Sequence, residues 1–234
     1  MVPYIFIAAL LPVLILAFYM YNKDKVQPEP ISQLLKAIMF GALSVPMSLG
    51  VSLLLILMGV NVNSEETTLE CISSAFLGAA IPEELAKLAM LYLLLRKNKY
   101  FDEKIDGIVY AVFVSLGFAA VENVMYLFNN YDSWMSVGIS RAIFSIPGHF
   151  GFGILMGYYY SLAHFYPKNR TRNIWLAFLA PMLVHGVFDT ILFVSSITPM
   201  FSGLLTIIFI IFCHMLWKCG KVRIQEHLLR DKSN

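Results

Sequence analysis

Long apolar runs separated by short polar connections dominate the chain. Runs of about 18 residues or more recur, each long enough to cross a bilayer core of roughly 30 Å as a helix. The short alternating segments of a membrane β-barrel do not appear in the pattern. It predicts seven spans, at 2–21, 33–60, 71–95, 106–128, 140–164, 174–194 and 200–217. Pro46 and Gly50 are expected to break the second. The first span has no basic segment before it and no small-residue cleavage site, so it reads as a retained helix and not a removed signal peptide. The expected fold class is therefore an all-α polytopic membrane protein with about seven transmembrane helices. It forms a single domain over residues 1–234, with a cytoplasmic tail over 218–234.

Charge orients this arrangement. Lysine and arginine concentrate on the cytoplasmic side of membrane proteins. Fifteen of the 17 basic residues fall in connections 22–32, 96–105 and 165–173, in the tail, or at Lys36 beside the first of these connections. Connections 61–70, 129–139 and 195–199 contain none, and the first is acidic, with Glu65, Glu66 and Glu70. The alternation predicts an N-terminus outside and a C-terminus in the cytoplasm. Composition agrees: the chain is 59% hydrophobic and 14% charged, with a mean hydropathy of +0.71. A net charge of +2 says little about partners, but the lack of a long basic block argues against nucleic acid as one. Cys71, Cys213 and Cys219 lack metal-ligand spacing and read as packing residues or idle thiols.

Against this background the stretch "IPEELAKLAML" at 81–91 is anomalous. It places Glu83, Glu84 and Lys87 inside an apolar run. An ionisable side chain at the bilayer centre costs about 2.5–3.5 kcal/mol on insertion scales, so it needs a partner or a purpose. Glu122, His149, His185 and Asp189 are similarly placed in three other spans, with Asn123 as a polar neighbour. The spacing groups them. Glu83 and Glu84 lie four and three residues before Lys87, on one helix face. His185 and Asp189 in "HGVFD" are also four apart, so Asp189 can orient the His185 ring or share a ligand with it. Phe118 and Glu122 in "FAAVE" share that spacing. His149 follows Pro147 and Gly148, which suggests a kink or opened backbone. Pro82 would likewise start a helix within the membrane. At 1.5 Å per residue these groups lie roughly 8–18 Å below the outer boundary, in the middle and outer half of the membrane. They are expected to converge on one outward-opening cavity.

Each residue also has a structural reading: Glu83 and Glu84 as ion pairs with Lys87, Glu122 as a partner of Lys87 or a histidine, His149 as a kink stabiliser, and His185–Asp189 as a helix clamp. One lysine cannot neutralise two carboxylates, which argues for more than packing. His214 reads as structural, His164 and His227 as solvated, and Arg141 as a cation at an outer helix end. As chemistry, the cluster can activate water with Glu as base and His as acid or oxyanion donor. It can also hold a divalent metal, or relay protons in a transporter.

The ordered set "EELAK", "FAAVE", the His149 in "PGH" and "HGVFD", each in its own span, resembles the PrsW-type intramembrane proteases. These are distantly similar to the type II CAAX prenyl endopeptidases and bacteriocin-processing proteins. Those endopeptidases carry arginine after the paired glutamates and a histidine ending the second motif; Lys87 and Glu122 stand here instead. The resemblance covers roughly residues 70–195. It implies a site-1 protease of the bacterial plasma membrane that cuts a single-pass anti-sigma factor on the extracytoplasmic side, in response to envelope stress or antimicrobial peptides. It assigns catalysis to Glu83, Glu84, His149 and His185, supported by Lys87, Glu122 and Asp189. His149, His185 and Glu122 are the candidate ligands for a metal such as Zn2+. The rival expectation is a proton- or cation-coupled transporter, which predicts polar residues through both membrane halves.

Overall fold

A computed structural model describes residues 2–23, 27–62 and 64–232. Among them there is no strand, and the chain runs as helices α1 (Val2–Tyr21), α2 (Ile31–Leu57), α3 (Thr68–Ser73), α4 (Ile81–Leu95), α5 (Lys104–Asn129), α6 (Trp134–Ser140), α7 (Ile146–Phe165), α8 (Arg170–Ile197) and α9 (Ser202–Lys232). Six helical stretches are long and apolar enough to cross a membrane. The span expected at 71–95 belongs to a seventh continuous stretch, Thr68–Leu95, which Glu83, Glu84 and Lys87 set apart from the other six by composition.

The second span is not broken. α2 is continuous through Pro46. The Ser44 hydroxyl donates to the Gly41 carbonyl at 2.6 Å and the Ser48 hydroxyl to the Val45 carbonyl at 2.8 Å. Side-chain hydroxyls and neighbouring helices commonly let a membrane helix carry a proline.

Among the described residues, π-helical turns interrupt two helical stretches, at matching places. A π-helical turn at Ser74–Ala80 joins α3 to α4, and another at Arg141–Ser145 joins α6 to α7. Each turn ends at an Ile-Pro pair, Ile81-Pro82 and Ile146-Pro147, with Glu83 and Glu84 or His149 within two residues beyond it. Proline has no N–H for its i−4 carbonyl and its ring crowds that carbonyl. The wider π turn relieves the clash and rotates the next residues, and π turns concentrate at functional sites. The opened backbone expected at Pro147 and the intramembrane start at Pro82 are thus both π turns.

α5 is the central post, buried from Lys104 to Ala119. Close approach to its neighbours depends on glycine. A Cβ on Gly157 of α7 would overlap the Gly107 carbonyl of α5, and one on Gly41 of α2 would overlap the Val114 carbonyl. With lipid outside, helices gain little from burying apolar surface against each other; close backbone packing between small residues takes over. α1, most of α2 and α9 turn large apolar side chains outward, among them Phe18, Leu57 and Ile207.

The expected tail at 218–234 is helical to Lys232 and continues α9 without a break. It docks on the basic end of the bundle. The Asp231 carboxylate accepts the backbone N–H groups of Lys104 and Ile105 at 2.9 Å each, capping the start of α5. His227, expected to be solvated, is buried: it stacks on Tyr158 at 4.5 Å and its Nε2 lies 3.1 Å from the Tyr158 carbonyl. His164 is exposed, as expected. The departure at His227 comes from the tail folding back, which no local pattern encodes.

Gly157→Ala should therefore destabilise the protein by about 1–3 kcal/mol through overpacking. Gly203→Ala, where a Cβ meets open space, should leave the thermal midpoint in detergent unchanged. Equal midpoints for both variants would refute the packing account.

Candidate active site

Lys87 organises the cluster. Its side chain is fully buried, and its ammonium donates to Glu84 Oε1 at 2.8 Å and Glu83 Oε2 at 3.2 Å, both on α4. Its third contact is His149 Nδ1 on α7, at 3.1 Å. An ammonium has three donors and accepts nothing, so His149 Nδ1 is the acceptor. The ring proton then sits on Nε2, which donates to Glu122 Oε2 of α5 at 2.9 Å. The Phe118 ring lies 4.1 Å from Lys87 Nζ, an additional cation–π contact. The "FAAVE" spacing thus serves two purposes: Phe118 faces the ammonium, and Glu122, one turn on, reaches the imidazole.

His185 of α8 completes the set. Its Nδ1 lies 3.0 Å from Glu84 Oε1, and its Nε2 lies 3.2 Å from Asp189 Oδ2 and 4.0 Å from Glu83 Oε2. The ring stacks on Phe152 at 4.6 Å. Gly186 beside it leaves room for the Phe76 ring, with which a Cβ there would clash. The seven ionisable residues expected to converge do so, from α4, α5, α7 and α8.

Glu122, however, does not partner Lys87. It shares Oε2 between His149 and Arg141, whose Nη2 donates to it at 2.6 Å. Arg141 Nε also donates to Asn123 Oδ1 at 2.7 Å, and the guanidinium lies over the Tyr126 ring at 3.9 Å. The Asn123 amide in turn donates to the Ala9 carbonyl of α1 at 2.9 Å. Sequence reasoning left Arg141 at a helix end and Asn123 without a role. The available signal was that Arg141 and Lys87 are the two cations outside the basic connections.

A cavity of about 210 Å³ opens over the cluster, lined by Glu83, Glu122, His149, His185 and Asp189 together with apolar residues such as Phe144 and Phe152. The adjacent glutamates differ. Glu83 has 13% of its side chain exposed and lines the cavity, whereas Glu84 is fully buried behind it.

Metal-binding capacity can be tested on the same atoms. The residues whose ligand atoms converge, one each within 4.8 Å, are Glu83, Glu84 and His149. His149 belongs to the expected ligand trio; among the described residues, His185 and Glu122 stand outside the convergent group. Two carboxylates and an imidazole suit a divalent cation of the Zn2+ type. Four formal carboxylates face two fixed cations, Lys87 and Arg141, an excess that one divalent ion would cancel. Glu84 Oε2 is buried without a hydrogen-bond partner, a ligand atom not otherwise committed. Lys87 meets these same three residues, so they would hold a metal with the ammonium withdrawn from His149 Nδ1, the lone pair that an ion would take.

Paired carboxylates and imidazoles around a partly apolar cavity, inside a helical bundle of membrane-spanning length, fit a membrane-embedded hydrolase. The comparisons narrow this further. The sequence profile of the PrsW family intramembrane metalloproteases matches residues 29–216, and the chain belongs to that family. It is similar to Protease PrsW of Clostridioides difficile (strain 630), 38% identical over 232 residues that cover 97% of this chain and 93% of the relative. It is also similar to Protease PrsW of Geobacillus kaustophilus (strain HTA426), 34% identical over 197 residues covering 84% and 83%. Protease PrsW of Bacillus subtilis (strain 168) is 33% identical over 186 residues, covering 79% and 81%. No solved structure matches. The protein is thus a multi-pass bacterial membrane peptidase.

Removing the ammonium should expose what it neutralises. Lys87→Met should lose about 3–5 kcal/mol of stability, the usual effect of breaking a buried ion pair. Added Zn2+ should recover part of the thermal midpoint in Lys87→Met but shift wild type less. A variant as stable as wild type would overturn the central place given to Lys87.

Proposed function

We propose that this peptidase makes the first, site-1 cut in a single-pass membrane substrate of the anti-sigma-factor type, within an envelope-stress or antimicrobial-peptide response. The peptide bond cut lies near the extracytoplasmic face. The reading takes residues 1–234 as one protease domain, with the N-terminus outside, the basic connections in the cytoplasm and the catalytic helices over about 70–195. What carries it is the asymmetry of the glutamate pair: Glu83 opens on the cavity, and Glu84 does not.

In this reading Glu83 takes a proton from the attacking water, its carboxylate steadied by Lys87. Glu84 stays behind, fixing the Lys87 ammonium and the His185 ring. His185, set between Glu84 and Asp189 on the cavity wall, stabilises the oxyanion that forms at the scissile carbonyl by turning its Nε2 hydrogen bond from Asp189 to that oxygen. His149, fixed in one tautomer between Lys87 and Glu122, forms the opposite wall. A divalent metal held by Glu83, Glu84 and His149, in the place that the Lys87 ammonium takes here, would supply Lewis acidity, polarising the carbonyl and acidifying water. The apolar cavity walls limit competing solvent and strengthen each of these interactions.

Purified protein with a tagged single-pass substrate tests the assignment. Glu83→Gln should lower kcat by about 10²–10⁴-fold, the range of a lost general base. Glu84→Gln should also impair cleavage, but with a lowered thermal midpoint that Glu83→Gln lacks. Unimpaired cleavage by both variants would refute the site. Chelation of the same sample should abolish cleavage in step with loss of bound metal, and Zn2+ should restore it. Retained activity at zero bound metal would remove the ion from the reaction.

A further inference from the structure

Beyond the carboxylates and histidines, Arg141 is held by three contacts at the mouth of the cavity. It leads the π turn Arg141–Ser145, is 12% exposed, and bonds Glu122 and Asn123 from above the Tyr126 ring. On its far side lies a second, open cavity of about 410 Å³, lined by Tyr126, Asn130, Ser136, Val137, Ser140 and Arg141. Tyr126, Ser140 and Arg141 line both spaces. The second cavity sits where α5 ends and α6 begins, beside connection 129–139, which carries no lysine or arginine. Five of these six residues carry a hydroxyl, amide or guanidinium group, set among apolar atoms that make up most of the exposed wall.

We infer that this outer vestibule receives the polar extramembrane flank of the polypeptide substrate, and that Arg141 is a positioning residue at the partition, acting on the reaction through Glu122. The inference rests on the protease reading. Its physical basis is a single shared oxygen. Glu122 Oε2 takes hydrogen bonds from both Arg141 and His149, so the guanidinium decides where the carboxylate that anchors the His149 ring can sit. A guanidinium holds a carboxylate in a fixed orientation, and its second donor, on Asn123, ties the pair to α5. A chain entering from the vestibule passes this partition before reaching Glu83. Extended polypeptide offers carbonyls to Arg141 and a surface to Tyr126, so the ligand class is an unfolded, polar juxtamembrane segment.

The test uses full-length protein in detergent and two synthetic single-pass peptides, one with its polar outer flank and one with the flank trimmed. Arg141→Gln, assayed well below its own thermal midpoint, should lower kcat by about 10–100-fold, as removal of such supporting contacts does, with KM for the trimmed peptide unchanged. Arg141→Lys should recover most of that loss, because an ammonium still reaches Glu122. Ser136→Trp, which fills the vestibule without touching the cluster, should raise KM for the flanked peptide and leave the trimmed one unaffected. Wild-type kcat in Arg141→Gln, or an equal loss in Arg141→Lys, would overturn the positioning role. An equal KM effect on both peptides in Ser136→Trp would overturn the vestibule. If wild type cleaves neither peptide, the protease reading itself fails, a result separable from all of these.

Discussion

A lysine ammonium with no access to water sets the terms for the rest of the site. Hydration of Lys87 is lost completely, and an unpaired charge in such a place is far costlier than any single packing contact. The ammonium must therefore have each of its three donors satisfied, and the acceptors come from two helices: Glu83 and Glu84 of α4, and His149 of α7. α5 adds the Phe118 face. Once these are in place, other freedoms disappear. His149 has one tautomer, Glu122 has an imidazole to accept from, and Glu84 has one oxygen committed to Lys87 and His185. The chemistry-bearing groups are oriented by the requirement to bury a charge, before any substrate arrives.

That requirement also explains the two π turns. Residues on regular helices leave a membrane bundle with few ways to aim polar groups at a common point. A turn widened by one residue, ending at an Ile-Pro pair, re-aims the side chains beyond it. It occurs before Glu83 and Glu84, and again before His149. The small residues of α5 and its neighbours, Gly107, Gly157 and Gly41, bring the helix axes close enough for short side chains to meet.

Much of this was legible in the sequence, and the reasons are physical. Apolar length marks membrane helices because the bilayer requires it, and the expected spans match helical stretches to within a few residues except at 140–164, whose stretch begins at Tyr131, and at the end of α9. Charged residues within apolar runs mark the site because nothing else justifies their burial. Spacing of three and four gave the Lys87 and Asp189 pairings, since those are fixed by helix geometry. What spacing cannot give is partners across helices. Glu122 could be matched to Lys87 or to a histidine on charge alone; its sharing between His149 and Arg141 depends on how α5 meets the π turn at Arg141. The docked C-terminal helix was illegible for the same reason: Asp231 caps a helix more than 120 residues earlier in the chain.

The same architecture argues against a transport path. From the cluster toward the basic end, each contributing helix runs through an uncharged segment: 88–95, 111–117, 150–157 and 174–184. Seven residues of helix span about 10 Å, and here they are closed by side chains such as Val112, Leu116, Ile154 and Met156, all buried against one another. Inside the bundle, ionisable groups reappear beyond this layer, as Tyr110 donating to Glu29, Lys104 paired with Asp231, and Tyr158 donating to Glu226. A proton or cation carrier needs polar stepping points across the layer; Tyr92 and Trp175 are exposed on the outside of the bundle, which leaves Ser115 as the one polar side chain buried within these segments. A hydrolase needs the reverse: a cavity that admits a peptide and water from one side and ends blind. The cluster has water-facing acid at Glu83, a dry back wall at Glu84 and Lys87, and an apolar floor beneath them. That one-sidedness is what hydrolysis inside a membrane demands.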